Sequence, residues 1–360
     1  MNVLSIFDTH LTVNNTPFHF FWLRDNCPCS ECLHPSGQRL QEVINLNLDI
    51  EIIDARYDND QLFVEWQDGH QSIYPDSLLF PSEAVSLSSD TDEGITLWGS
   101  QLDQAAFSID YRDLDKPESK YQWLNHVNTH GIAFLHHVPN HDQQLLEVVD
   151  KFGYVRETNY GKYFEVITKD NPENLAFTPK PLSLHTDNPY RHPVPSLQLL
   201  HCLVAAPEGG ITALADGFYA AQIVKERYKH HFDILNSAIL SYRFKSTEAD
   251  LQSCGSVIET DSQGKVTKVR LNNRSIQTIR LPFDEQRAFY EAYQCFMAVL
   301  HSEECKFTCK LQPGELMMFD NERVLHGREV AAIGKRHLQG CYADKDSLLS
   351  TMRTIQGERQ

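Results

Sequence analysis

Three cysteines lie within six residues near the start of the chain, at Cys27, Cys29 and Cys32. Thiolates this close together can converge on one metal ion, and Zn²⁺ takes soft sulfur ligands together with an imidazole in a closed tetrahedral site. Two histidines are candidates for the fourth ligand: His34, two residues further on, and His70, which follows an Asp-Gly pair typical of a hairpin turn. The alternative is a group of reduced surface cysteines, but exposed clustered thiols would oxidise readily. The cluster therefore predicts a structural zinc site.

A second metal chemistry is indicated by histidines that stand two residues before an acidic residue. With one distant histidine, such a pair forms the 2-His-1-carboxylate triad that holds Fe(II) in oxygenases. Because the chain has 17 histidines and 49 acidic residues, chance alone produces pairs of this kind. Three occur, at His185/Asp187, His231/Asp233 and His301/Glu303. The last two lie in predicted helices, where residues two apart point in different directions. Only the first pair follows a predicted strand, in which alternate side chains share a face.

The third ligand of such a triad must come from a distant segment. His326 follows a Pro-Gly turn, an apolar strand and a polar bend in PGELMMFDNERVLHGREV, and Arg336 precedes another strand ten residues later. An arginine near the metal offers a bidentate clamp for a carboxylate. His337 is the competing ligand, and a buried structural histidine is the alternative for either. The order of the His-x-Asp pair, the later histidine and the arginine favours an iron-dependent oxygenase.

The elements that must position these groups are mainly strands. Residues 1–82 contain short β-branched and aromatic runs separated by turn residues, which predict a small N-terminal β domain. A polar stretch rich in serine and acidic residues begins the predicted linker, residues 83–104. Over 105–360, widely separated strands predict the long-range pairing of a jelly roll, flanked by helices that include one near Asp216 and one over 283–300.

Composition excludes several classes of protein. Among 360 residues, 32 Lys and Arg stand against 49 Asp and Glu, and this net charge of −17 disfavours nucleic acids and anionic membranes as partners, since both need a basic surface. The first residues lack the basic and apolar regions of a signal peptide, and no apolar run is long enough to span a bilayer. Nine cysteines, an odd number, argue against a disulfide framework. We therefore expect a soluble, cytoplasmic protein.

These motifs together resemble the γ-butyrobetaine and trimethyllysine dioxygenases, a branch of the taurine-dioxygenase-like Fe(II)/2-oxoglutarate oxygenases. The resemblance covers nearly the whole chain and is carried by the strings FWLRDNCPCSEC, LHTDNPY, LQLLHC, FDNERVLHGR and RHLQGCYAD. It implies a mainly β fold with flanking helices, a double-stranded β-helix preceded by a small zinc domain, and a homodimer. It also implies that the enzyme hydroxylates a C–H bond with O2 and 2-oxoglutarate as cosubstrates, releasing succinate and CO2.

Carried over by motif, the resemblance assigns metal and cosubstrate residues. It implies structural zinc at Cys27, Cys29, Cys32 and His70. It implies iron at His185, Asp187 and His326. It implies that Arg336 binds 2-oxoglutarate, and that Thr212 stands where related enzymes use a hydroxyl near the cosubstrate.

The family holds a trimethylammonium group against aromatic faces by cation–π attraction. The matching positions are all aromatic here: Tyr160, Phe164, Phe177 and Tyr342. The anionic end of the substrate matches Asn174 and Asn273, and Arg274 follows where butyrobetaine enzymes have an uncharged residue. If Arg274 points into the site, its charge favours a phosphonate over a carboxylate. The alternatives are that the rings are simply core and that Arg274 points to solvent.

The resulting hypothesis is a 2-oxoglutarate-dependent hydroxylase of a small trimethylammonium zwitterion, with γ-butyrobetaine first and 2-(trimethylammonio)ethylphosphonate second. Trimethyllysine is a weaker candidate, because its α-amino group would need an acidic partner that the sequence does not place. A hypothesis of another class is a zinc-module protein whose jelly roll binds a ligand without catalysis. The complete iron triad and Arg336 argue against it, since a binding protein does not need an open iron site.

Overall fold

The chain divides into two compact units, residues 1–90 and 91–360. The computed structural model describes residues 4–80, 94–167 and 180–357 of it.

The division between the units falls inside the predicted linker, 83–104. The end of that predicted linker nevertheless packs with the second unit, because it carries large apolar side chains. Trp98 and Leu102 are buried there, and the Trp98 indole donates a hydrogen bond to the carbonyl of His130 at 2.6 Å.

The first unit contains two three-stranded antiparallel sheets, with strand orders β1-β2-β3 and β4-β5-β6. Its strands are β1 Leu4–Ile6, β2 His10–Val13, β3 Thr16–His19, β4 Ile52–Asp58, β5 Gln61–Trp66 and β6 Gln71–Pro75. Its helices are α1 Phe20–Asp25 and α2 Asp76–Leu79. Alternate residues of a strand share a face, so Leu62, Val64 and Trp66 of β5 all enter the core of this unit.

The second unit is built on two sheets, a six-stranded one with the order β7-β8-β18-β11-β20-β9 and a four-stranded one with the order β10-β19-β12-β17. Its strands are β7 Ser108–Asp110, β8 Ile132–His136, β9 Phe164–Ile167, β10 Leu182–His185, β11 Leu197–Val204, β12 Thr212–Asp216, β13 Leu240–Lys245, β14 Asp250–Gly255, β15 Ile258–Thr260, β16 Val266–Val269, β17 Phe307–Cys309, β18 Leu316–Asp320, β19 Val324–Arg328 and β20 His337–Ala343. Its helices are α3 Pro117–His130, α4 Gln144–Asp150, α5 Gly217–Arg227, α6 Lys229–Ser237, α7 Phe283–Leu300 and α8 Lys345–Gly357. Hairpins β13-β14 and β15-β16 stand outside the two sheets.

The core of the second unit lies in three layers. Between the sheets, Phe134, Leu200 and Phe319 of the larger sheet pack in one cluster with Leu214 and Val324 of the smaller sheet. Helices α3, α4 and α8 cover the outer face of the larger sheet, and α5, α6 and α7 cover that of the smaller. This arrangement is a double-stranded β-helix with flanking helices, so the predicted fold is confirmed.

The predicted helices have identifiable ends. Helix α5 begins directly after Asp216, whose carboxylate accepts the backbone N–H of Phe218 at 3.0 Å and so caps the helix. Helix α7 spans the predicted 283–300.

None of the helices in the described part of the chain combines the length and the apolar character of a membrane-spanning helix. The homodimer and the cytoplasmic location stay predictions.

A buried ion pair joins the end of β12 to the residue before β19. The guanidinium of Arg323 donates from Nε and Nη2 to the two carboxylate oxygens of Asp216, at 3.0 and 2.7 Å. Its remaining donors reach the carbonyls of Thr129 and Thr96, at 2.9 and 2.7 Å. Both charged side chains are almost fully buried, so each depends on the other for compensation.

We predict that Arg323→Met destabilises the second unit by about 3–5 kcal/mol, because it leaves a carboxylate buried without its cation. Urea unfolding of the full chain, followed by circular dichroism, measures the difference. The control is Arg227→Gln, since the pair of Arg227 with Glu304 is exposed and is worth less than about 1 kcal/mol. Equal losses of stability in the two variants would contradict the prediction.

Candidate functional site

Three sulfur atoms and one imidazole nitrogen meet in the first unit. The Sγ atoms of Cys27, Cys29 and Cys32 lie 3.3, 3.5 and 3.6 Å from Nε2 of His70. In a tetrahedron with zinc bonds of about 2.3 Å to sulfur and about 2.0 Å to nitrogen, that separation is about 3.5 Å. Since all four ligand atoms also lie within 4.8 Å of one another, their spacing is compatible with a tetrahedral cation. His34 is not among them, because its Nδ1 lies on the surface, 2.8 Å from the hydroxyl of Ser36.

A tight hairpin brings His70 to the cysteines. Gly69, with a φ of +81°, turns the chain between β5 and β6, and the Asp68 carboxylate accepts the backbone N–H of His70 at 3.0 Å. Arg24 pairs with Asp68 at 2.9 Å and reaches the Sγ of Cys32 at 3.5 Å. Burial, together with the charges of the neighbouring thiols, raises the pKa of Cys32 to about 12. Holding all three sulfurs as thiolates therefore requires a bound cation.

His185, Asp187 and His326 meet in the second unit. Strand β10 pairs with β19 so that His185 stands opposite His326, with ring centroids 4.3 Å apart. The Oδ1 atom of Asp187 lies 3.3 Å from Nε2 of His185, and Oδ2 lies 3.9 Å from Nε2 of His326. One ligand atom from each residue lies within 4.8 Å of the others. Two imidazoles and a carboxylate are the donor set of a 2-His-1-carboxylate iron site.

Neighbouring groups orient these ligands. Nδ1 of His185 lies 2.8 Å from the carbonyl of Ser183, which leaves Nε2 directed at Asp187. Asn321 accepts the backbone N–H of Asp187 at 2.7 Å and donates to its carbonyl at 2.9 Å. The position of Asp187 is therefore fixed through its backbone, although it lies beyond the end of β10.

The protonation of the ligands suits a dication. Burial lowers the pKa of His326 to about 3, so its ring is neutral and its lone pair is available. Burial alone would raise the pKa of Asp187, but its interactions with the two imidazoles and the charge of Arg274 hold that pKa below its usual range. An ionised carboxylate beside a neutral imidazole is what a divalent metal needs.

The competing candidates are not part of this group. Asp233 is exposed on α6 and pairs with Lys229 at 2.5 Å, and the His231/Asp233 and His301/Glu303 pairs belong to none of the ligand clusters in the described residues. His337 contacts Glu165 rather than the triad.

The triad opens into a cavity of about 340 Å³. Arg336 and Thr212, the predicted cosubstrate residues, line the same cavity. Burial and the charge of Arg328 lower the pKa of Arg336 to about 10, which keeps it cationic near neutral pH. Because Arg328 lines the cavity as well, two guanidinium groups make this part of it suitable for a carboxylate.

Aromatic rings form another wall of the cavity. Tyr160, Phe164 and Tyr342, three of the four predicted rings, line it. The centroid of Phe164 lies 5.2 Å from that of Tyr342 and 6.5 Å from that of Tyr160. Tyr190 and Phe244, which the sequence analysis did not predict, extend this wall.

The residues predicted for the anionic end of the substrate are placed differently from one another. Arg274 lines the cavity. Asn273 does not, and its amide oxygen accepts a hydrogen bond from the Tyr293 hydroxyl at 2.5 Å. The preceding residue, Asn272, lines the cavity instead, and its side-chain oxygen accepts the backbone N–H of Arg274 at 3.0 Å. Two adjacent asparagines in the string LNNRS gave no means of choosing between them.

Two predicted substrate residues, Asn174 and Phe177, lie outside the described residues. Two polar residues of the cavity, Asn188 and Gln198, were missed by the sequence analysis. Asn188 directly follows Asp187, and Gln198 interrupts the apolar strand LQLLHC. A polar residue inside an otherwise apolar strand was the available signal for Gln198.

The chain is similar to known proteins along most of its length. Residues 91–342 match the family described as Taurine catabolism dioxygenase TauD, TfdA family, and residues 7–80 match Gamma-butyrobetaine hydroxylase-like, N-terminal. The gamma-butyrobetaine dioxygenase of Pseudomonas sp. (strain AK-1) is 33% identical, over 95% of this chain and 91% of that protein. The human gamma-butyrobetaine dioxygenase is 32% identical, over 93% and 90%. The mitochondrial trimethyllysine dioxygenase of Rattus norvegicus is 30% identical, over 94% and 82%.

Among solved structures, the non-heme iron oxygenase OrfP, in complex with Fe and alpha-ketoglutaric acid, aligns with a TM-score of 0.49 at 16% identity, over 69% of this chain and 87% of that one. The family matches and the full-length relatives confirm the resemblance found in the sequence motifs. The chain belongs to the TauD, TfdA family of dioxygenases, and its first unit is similar to the N-terminal region of γ-butyrobetaine hydroxylase-like proteins.

Proposed function

We propose that this protein is an Fe(II)- and 2-oxoglutarate-dependent hydroxylase of a small trimethylammonium zwitterion, with γ-butyrobetaine as the first candidate and carnitine as its product. The observation that carries the proposal is that one cavity contains the metal triad, Arg336 and a wall of aromatic rings. The names of the relatives at 30–33% identity, γ-butyrobetaine and trimethyllysine dioxygenases, support the substrate class.

In this proposal each part of the cavity has one task. His185, Asp187 and His326 hold the iron, and Arg336 with Thr212 holds the distal carboxylate of 2-oxoglutarate. When bound, iron and 2-oxoglutarate supply the oxidising chemistry that hydroxylates a C–H bond with O2. The protein residues position the substrate and exclude water, since no acid–base residue is needed at the carbon that reacts.

The aromatic wall is suited to the cationic end of the substrate. A trimethylammonium group has no N–H donor, so it is attracted by ring faces rather than by hydrogen-bond acceptors. Tyr160, Phe164 and Tyr342 offer such faces in the same cavity as the triad. A substrate with its ammonium on this wall would share the cavity with the metal and with Arg274.

A second candidate substrate is favoured by Arg274. This guanidinium lines the cavity, and its charge acts on the carboxylate of Asp187. In the described part of the chain it forms no ion pair with an acidic side chain like the one that Arg243 forms with Asp250. A phosphonate carries up to two negative charges where a carboxylate carries one, and it gains more from an arginine. 2-(Trimethylammonio)ethylphosphonate is therefore the alternative to γ-butyrobetaine. A non-catalytic binding protein is the alternative from another class, and iron binding distinguishes it.

We predict that the enzyme, loaded anaerobically with Fe(II), releases succinate when it is given 2-oxoglutarate, O2 and one of the two zwitterions. Coupling to substrate should raise succinate release well above the substrate-free background, because the aromatic wall retains the ammonium group. Mass spectrometry of the hydroxylated product and a succinate assay measure both halves of the reaction.

The control for that prediction is Asp187→Ala, which should lose stoichiometric Fe(II) binding because one of the three ligands is gone. Succinate release at the background rate with both compounds would contradict the substrate class. An unaltered protein that binds no Fe(II) would instead favour the non-catalytic alternative.

For Arg274 we predict a selective effect. If the phosphonate is the substrate, Arg274→Ala should lower kcat/KM for the phosphonate by about 10-fold or more, which corresponds to a charge-assisted hydrogen bond of about 1.5–3 kcal/mol. The turnover of γ-butyrobetaine should change much less, because it presents only one negative charge. Arg243→Ala is the matched control, since that arginine also lines the cavity but is already paired with Asp250. Equal losses for both substrates would refute a phosphonate preference.

We also propose that the four-ligand cluster of the first unit binds one structural Zn²⁺. The distances from Nε2 of His70 to the three sulfurs match those of a tetrahedral zinc site and support the proposal.

We predict that Cys29→Ser loses the metal and lowers the unfolding temperature of the first unit, since binding energy at a structural zinc site is folding energy. Metal analysis and calorimetry of the full chain test this. Cys254→Ser, at an exposed cysteine of the second unit, should retain the zinc, and retention of one zinc by Cys29→Ser would contradict the proposal.

A further inference from the structure

We infer that Gln198 and Tyr342 are positioning residues that hold one carboxylate oxygen of Asp187, so that the other oxygen, Oδ1, is the one that binds iron. The inference rests on the proposed iron site and concerns how its carboxylate ligand is presented. Sequence analysis missed Gln198 altogether and expected Tyr342 only as a ring for the substrate.

Both donors reach the same oxygen atom. The amide Nε2 of Gln198 donates to Oδ2 of Asp187 at 3.0 Å, and the hydroxyl of Tyr342 donates to that atom at 2.9 Å. A carboxylate oxygen has two lone pairs, so these two hydrogen bonds use both of its acceptor directions. Oδ1 receives neither bond and lies 3.3 Å from Nε2 of His185. The free lone pairs of Asp187 therefore face His185, the nearer of the two imidazoles with which it would share a metal, whereas His326 lies 3.9 Å from Oδ2.

The strand arrangement makes this clamp rigid. Gln198 on β11 and Tyr342 on β20 are directly paired across the larger sheet, so their side chains leave the same face side by side. Gln198 is 1% exposed and Tyr342 is 4% exposed, which restricts both to one orientation. Asn321 holds the backbone N–H and carbonyl of Asp187 from the other direction. The ligand is thus held from its backbone and from one carboxylate oxygen.

Such a clamp has a consequence for the metal site. A free carboxylate can bind a cation through one oxygen or through both. With Oδ2 engaged by two donors, Asp187 can offer only Oδ1, and the remaining coordination positions stay available for the 2-oxo acid and O2. Donors behind a metal ligand are known to fix its orientation and strengthen binding. Gln198 and Tyr342 are in the position to do both.

Tyr342 also links two parts of the cavity. Its ring packs against Phe164, with centroids 5.2 Å apart, in the wall proposed for the trimethylammonium group. Its hydroxyl contacts the metal ligand. Replacing it with phenylalanine separates these roles, because the ring face remains and only the hydrogen bond to Asp187 is removed. Gln198→Met removes the other donor while approximately keeping the length of the side chain.

The test is an anaerobic Fe(II) titration of the full-length, zinc-containing protein in the presence of 2-oxoglutarate, followed by the charge-transfer absorption of the iron complex. Tyr342→Phe and Gln198→Met should each raise the dissociation constant of Fe(II) by about 10- to 100-fold, the usual effect of removing a donor behind a metal ligand. For Tyr342→Phe, the KM of the substrate should rise much less than this. If Tyr342 contributed only its ring face to the aromatic wall, loss of its hydroxyl would not weaken Fe(II) binding.

The matched control is Tyr190→Phe, which removes another buried hydroxyl from the same cavity. The hydroxyl of Tyr190 donates to Asn188 at 2.6 Å and does not contact Asp187, so Fe(II) affinity should stay unchanged. Zinc content and thermal unfolding verify the fold of each variant, and Tyr342→Phe suffices if Gln198→Met does not fold. Unaltered Fe(II) affinity in Tyr342→Phe would overturn the inference. Absence of Fe(II) binding by the unaltered protein would overturn the proposed function instead.

Discussion

The candidate active site depends on the register between β10 and β19, which sets His185 opposite His326. Because side chains alternate across a strand, a slip of one residue would turn an imidazole away from the cavity. Strand β19 lies between β10 and β12 in the smaller sheet, so its register is fixed on two sides. The pairing with β12 also brings Asp216 to the start of β19, where Arg323 neutralises it. Strand β19 thus carries the proposed metal ligand His326 in its centre and begins directly after Arg323, a member of the buried ion pair.

The distribution of charge in the cavity differs from that of the whole chain. A net charge of −17 acts mainly at the surface, where salt screens it beyond about 8 Å. Inside, Arg274, Arg328 and Arg336 supply positive charge for anionic groups. In the proposed function, the opposite requirement, holding a trimethylammonium cation, would be met by neutral rings. An acidic side chain used for that purpose would compete with Asp187 for the metal, whereas an aromatic face attracts an ammonium group and is a poor iron ligand.

Much of the site could be predicted from local sequence rules, and the failures have physical causes. The strand context of His185 and Asp187 was sufficient to prefer them over pairs on helices, because strand alternation is a local property. The choice of His70 over His34 needed the family resemblance, since the reach of a hairpin depends on the twist of its strands. The polarity of Gln198 within LQLLHC was a signal, but its role could not be predicted, because that role depends on pairing with a strand more than a hundred positions away.

The adjacent asparagines illustrate the same limit at a finer scale. Asn272 and Asn273 have the same chemistry, and only the local backbone decides which one faces the cavity. Sequence similarity to a family places the pair at the right site but does not resolve a shift of one residue. Burial and hydrogen bonding do resolve it, because Asn272 is buried, its amide nitrogen donates to the carbonyl of Thr186, and its amide oxygen accepts the backbone N–H of Arg274.

The two proposed metal sites also explain how one chain can use two metals. Fe²⁺ stands low in the order of affinities of divalent metals for nitrogen and oxygen sites, so the ligands of the triad do not by themselves select iron. The cysteine cluster presents three sulfurs and one nitrogen with no position left open, which suits zinc far better than iron. At the triad, a carboxylate that binds through one oxygen leaves coordination positions free for a 2-oxo acid. Iron can use these positions because it accepts six ligands, whereas zinc favours four. Selectivity for iron would therefore arise from the number of positions that the protein leaves free, and Gln198 and Tyr342 help to set that number.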